Sequence, residues 1–64
     1  MKLVRQDTSG ATIALTDQEL TIINNALNEI CNGIDVPEFA TRIGADREEA
    51  EQLLEQIHGV VSAM

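Results

Sequence analysis

Residues 39–54 read FATRIGADREEAEQLL, and this stretch decides the fold. Phe39, Ala40 and Ile43 continue from Val36 at i, i+3, i+4 and i+7, the spacing of one helical face. Gly44 then interrupts the pattern. Glycine just past a helix accepts the left-handed backbone that satisfies the last carbonyls. Asp46 follows as a helix cap, with Glu49 at the third position after it, the order of a capping box. Ala50, Leu53, Leu54, Ile57 and Val61 begin a second apolar stripe. The stretch predicts two helices, over 36–43 and 47–58, joined by a tight turn.

The same start signal recurs on either side. In LTDQEL, residues 15–20, Thr16 is the cap, Glu19 its partner, and Leu15 and Leu20 a hydrophobic staple. In IDVPEF, residues 34–39, Asp35 takes the cap position and Glu38 the third. Pro37 falls in the first turn, where its missing N–H costs little. A helix over 17–31 places Leu20, Ile23, Leu27, Ile30 and Ile34 along one side, widened by Ala26 and Cys31. Gly33 and Gly59, like Gly44, read as helix stops. The first fifteen residues differ. KLVRQ and ATIAL are strand-like segments joined by the turn formers of DTSG, which predicts a β-hairpin or, failing that, an extended arm. Such a hairpin would need to rest on the helices for support.

The expected fold class is therefore mainly α, or α+β with the hairpin formed: an N-terminal hairpin or arm followed by a three-helix bundle. Residues 1–64 make one domain, with 1–15 the hairpin, 16–59 the helical core and 60–64 an apolar tail. Sixty-four residues bury only a modest core. With no Trp or Tyr and a single Phe, that core is aliphatic and offers no platform for stacking bases.

Charge narrows the partners. The formal net charge is −7, yet Lys2 and Arg5 stand without acids in residues 1–6. Every acid lies beyond them, against Arg42 and Arg47 alone. That region suits neither bare nucleic acid nor an anionic membrane, because both require cationic neutralisation. It suits a basic protein surface. No signal peptide or membrane-spanning run is visible, and the lone Cys31 permits no internal disulfide, so a cytoplasmic setting is expected. Cys31 and His58 are too few for a zinc site and lack the spacing of a nucleophile–base pair. Cys31 reads as a small buried hydrophobe, and His58 as a charge near a helix C-terminus. No glycine-rich phosphate loop or calcium loop is present. The expectation is a protein that is not an enzyme and needs no cofactor or metal.

Phe39, Ala40, Ile43, Gly44, Ala50 and Leu53 give this stretch of sixteen residues a resemblance to the helix-turn-helix family. They stand where that family has a bulky apolar residue, a small residue, an apolar residue, the turn glycine and two packing residues. The stretch NNALNEICNGI, residues 24–34, also resembles short bacterial proteins to which no activity attaches. The helix-turn-helix resemblance implies that the outer face of the second helix enters the major groove. Here that face is Glu48, Glu51, Gln52 and Glu55. Gln52 could read adenine, but three carboxylates oppose the electrostatic attraction on which such binding depends.

The favoured expectation is thus an acidic interaction or regulatory module that docks a basic surface through Glu48, Glu51, Gln52 and Glu55. Asn24, Asn25 and Asn28 add an amide row, unusual inside a helix, that could hydrogen-bond a partner. Arg42 is spaced to pair with Glu38. Two alternatives stand beside this: a dimeric helix-turn-helix DNA regulator, and an inhibitor that offers carboxylates in place of phosphates to a nucleic-acid-binding protein. Apolar ends at Leu3–Val4 and Val60–Val61 exceed what a small core covers, which points to a possible homodimer.

Overall fold

The computed structural model describes all residues 1–64. It comprises an antiparallel hairpin, β1 (Lys2–Asp7) and β2 (Gly10–Ala14), followed by helices α1 (Asp17–Asn28), α2 (Phe39–Ile43) and α3 (Arg47–Ser62). A π-helical turn, Glu29–Gly33, extends α1. The fold is α+β, and the hairpin expected from KLVRQ and ATIAL forms.

The hairpin turn is built by Asp7. Its Oδ1 accepts from the Ser9 N–H at 2.9 Å, the Ser9 hydroxyl at 2.7 Å and the Gly10 N–H at 3.2 Å. This is the local bonding that makes Asp and Ser turn residues. Leu3 pairs with Ile13 and Arg5 with Thr12, so Val4 is an extra residue, a bulge in β1. The hairpin does not rest on the helices as expected. Every residue of both strands is exposed, and the Met1 ammonium bonds Glu19 Oε2 at 2.7 Å as a tie to α1.

α1 starts as its sequence dictates. Thr16 accepts from the Glu19 N–H, and the Glu19 carboxylate accepts from the Thr16 N–H, a complete capping box. Asp46 caps α3 by accepting from the Glu49 N–H at 2.8 Å, but the return bond of a full box, from the Asp46 N–H to the Glu49 carboxylate, is not made. The third start signal fails. Glu38 has φ 54 and ψ 47, a left-handed conformation, so α2 begins only at Phe39 and Asp35 caps nothing. The cause lies in the preceding chain. Ile34 is extended, and a residue before proline, here Val36, disfavours the helical region. Pro37 and Glu38 then form a turn, leaving α2 only five residues.

The glycines divide. Gly44 has φ 89 and its N–H bonds the Ala40 carbonyl, the expected helix stop. Gly33 lies inside the π-helical turn, where the Glu29 carboxylate occupies the space a β-carbon would need. Gly59 does not end α3, which continues to Ser62. Tertiary position outweighs the local cost of glycine, about 1 kcal/mol, because the extra turn carries Val61 to a half-buried site. The apolar tail is thus mostly helix.

α1 packs on α3, and the π-helical turn joins that contact. Leu20, Ile23, Leu27 and Ile30 meet Leu54, Ile57 and Val61 as half-buried side chains. Only Cys31, 7% exposed, and Ala50, 4% exposed, are fully buried. Cys31 is the small buried hydrophobe expected. Ile34, Ile43 and Leu53, read as core-facing, remain exposed, as do Ala26 and Ala40. The molecule is flat, 34 × 29 × 16 Å, with a Cα radius of gyration of 12.9 Å, against about 11 Å for a compact chain of this length.

Candidate functional site

Arg47 occupies the first position of α3, close to where the π-helical turn ends. Its Nη1 donates to the Cys31 carbonyl at 2.8 Å, a charge-assisted bond to an acceptor at the C-terminal end of the α1 segment. The same guanidinium lies 4.6 Å from the Phe39 ring centroid, within cation–π range. Arg47 therefore ties α1, α2 and α3 together. Sequence reading treated it only as a cation near the acidic residues. The signal that could have found it is a helix-first arginine preceded, eight residues earlier, by the chain's sole aromatic.

Because Arg47 is engaged there, it does not neutralise its neighbours. Glu48, Glu51, Gln52 and Glu55 are all exposed, and no ion pair includes any of the three glutamates. The two ion pairs of the molecule lie at Met1–Glu19 and Arg5–Asp7. The spacing i, i+3, i+4 and i+7 sets the four side chains on one side of α3. Arg42 does not make the expected pair with Glu38. Only its backbone N–H bonds that residue, at the carbonyl, at 3.1 Å.

The amide row of α1 and the edge of the acidic face meet. Asn24, Asn25 and Asn28 from α1 line an open groove of about 430 Å³ with Leu54, Glu55 and His58 from α3. Asn24 Oδ1 is buried without a hydrogen-bond partner, while Asn24 Nδ2 reaches Asn25 Oδ1 at 3.4 Å. Asn28 Oδ1 accepts from Asn32 Nδ2 at 3.0 Å. Glu48, Glu51 and Gln52 do not line the groove. His58, expected beside a helix end, instead lines this groove one turn before α3 stops. The groove could not be read from sequence, because it depends on how α1 turns against α3.

Two carboxylates have perturbed acidity, both far from the groove. The Met1 ammonium, then the Thr16 N–H, hold the Glu19 carboxyl below the usual range. The Ser9 hydroxyl and N–H do the same for Asp7. Both belong to structure-forming bonds. No group of three or more acidic, His or Cys side chains is placed to hold a metal ion. No helix is long and apolar enough to cross a membrane. No protein-family model, curated protein or solved structure matches this chain.

Proposed function

We propose that this chain is a small, non-enzymatic interaction module of the cytoplasm that docks a basic protein surface on α3. The observation that carries this reading is the set of three outward, unpaired carboxylates, Glu48, Glu51 and Glu55, beside an arginine already committed elsewhere. Like charges held on one exposed face repel each other, and a cationic partner relieves that repulsion while speeding its own approach.

The groove refines the chemistry of the partner. A lysine or arginine side chain entering it meets the Glu55 carboxylate. Asn25 and Asn28 offer further donors and acceptors to backbone groups on either side.

A helix-turn-helix-like bundle, with α2 and α3 as its motif, remains the architectural proposal for residues 39–54. Its family's activity does not follow. The one cation at the start of α3 is directed inward to Cys31 and Phe39, so a DNA backbone would meet carboxylates. The same face makes the inhibitor reading a special case of docking, in which the basic surface is another protein's nucleic-acid site.

Affinity capture from native extract, compared between the wild type and the triple variant Glu48→Lys, Glu51→Lys, Glu55→Lys, tests the proposal. A basic protein should be retained by the wild type, released as salt rises, and lost from the triple variant. Retention unchanged by the reversal contradicts the reading. A salt-sensitive mobility shift of DNA by the wild type would favour the regulator instead.

A further inference from the structure

The hairpin presents a different unfilled requirement, independent of the acidic face. A two-stranded hairpin is marginal alone and gains stability from further strands or from a helix beneath it. This one has neither, since both strands are exposed along their whole length. Its two edges are unlike. β1 carries Lys2, Arg5, Asp7 and the Val4 bulge, the features that discourage strand addition. β2 reads GATIA, with no charge, no proline and no bulge. Its outward N–H and C=O groups are a template for another strand.

The area agrees. The chain exposes 4962 Å² at a mass of 7.0 kDa, where a compact monomer of that mass exposes about 4,000 Å². The excess, roughly 900 Å², is close to the ~800 Å² that each partner contributes to a standard interface. Part of it is apolar and on the hairpin itself: Leu3 is 56%, Val4 60% and Ile13 44% exposed.

We propose that two copies of this chain pair β2 against β2, antiparallel, to make one four-stranded sheet. Alternation puts Ala11 and Ile13 on one face, with their cross-strand partners Gln6 and Leu3. The symmetric register that sets Thr12 opposite Thr12 of the second copy sets each Ala11 opposite an Ile13. It gathers both copies' Leu3 and Ile13 on that single face. The outer edges of the resulting sheet are the charged, bulged β1 strands, so assembly closes at two copies and does not propagate. α3 lies outside the pairing and stays free to dock.

Sedimentation velocity of the whole chain, from dilute to concentrated solution, reads the result. The wild type should pass from a 7.0 kDa species to one of twice that mass. Ile13→Lys should raise the dissociation constant at least about tenfold with the helical circular dichroism unchanged. Ile22→Lys, on the α1 surface, should leave it near the wild-type value. A wild type monomeric at every concentration overturns the proposal, and so does a dimer broken by Ile22→Lys but not by Ile13→Lys. If Ile13→Lys also loses helical signal, mixed isotope-labelled and unlabelled wild type decides. Contacts between the Thr12 α-protons of two copies are required, and their absence overturns the pairing.

Discussion

The hairpin and the helical half solve the same problem of small size differently. The helices share one sheltered point, where Ala50 and Cys31 are buried and Arg47 clasps the Cys31 carbonyl beneath Phe39. The hairpin has only its ladder and the Asp7 turn. The difference teaches that local signals are enough to shape a segment, whereas only long-range contacts make it self-supporting. It also separates two roles. In the proposals above, the helical half presents the acidic face to a partner and the hairpin is completed by a second copy.

Breaking the sheltered point should have the largest effect. Ala50→Asp places a carboxylate at the most enclosed site of the molecule, and a loss of about 3 kcal/mol or more is expected in urea unfolding followed by circular dichroism. Arg47→Ala removes both the charge-assisted bond and the stacking. A loss of about 2 kcal/mol is expected, with Arg47→Lys recovering little because it lacks the planar fork. Thr16→Ala breaks the capping box at the junction between the two halves and should cost about 1 kcal/mol. Gly59→Ala should act the opposite way. It lies within α3 with open space around its β-carbon position, so alanine should raise the unfolding midpoint by an amount worth up to about 1 kcal/mol.

Acid should produce the smallest and most local effect. Glu19 and Asp7 have folded acidities below their ordinary values. The stabilisation each gives is full above the ordinary carboxylate range, about pH 4, and is lost as pH falls through the lower folded values. Amide resonances of Ser9, Gly10 and Thr16 should therefore move on acidification, as the carboxylates that accept from them are protonated. Glu19→Gln should abolish the response at Thr16 alone.

How much of this was legible in sequence follows from which contacts are local. The Thr16 box, the Asp46 cap, the Gly44 stop and the Asp7 turn each involve residues within four of one another, and each stands as read or nearly so. The α1 stripe from Leu20 to Ile30 and the buried Cys31 followed from period, whereas Ile34 and Ala26, read with them, stay exposed. Asp35 failed as a cap because Pro37 and the left-handed Glu38 act together to delay α2, an outcome that no single-residue preference conveys. Gly59 failed as a stop because a helix persists where its next turn has apolar surface to cover. The candidate site was legible on α3, where spacing places Glu48, Glu51, Gln52 and Glu55 together. It was illegible at the groove, since nothing in either segment announces that Asn24 faces Glu55 and His58. The unsupported hairpin was foreseen as a hairpin, but not as one standing clear of the helices.

Residue-resolved amide hydrogen exchange, run on the whole chain at low and high protein concentration, tests most directly the claim that one half is complete and the other is not. Protection of Ala11 and Ile13 should rise with concentration, while protection of the α1 and α3 amides around Cys31 and Ala50 stays constant. Equal protection of both halves at every concentration would contradict the account.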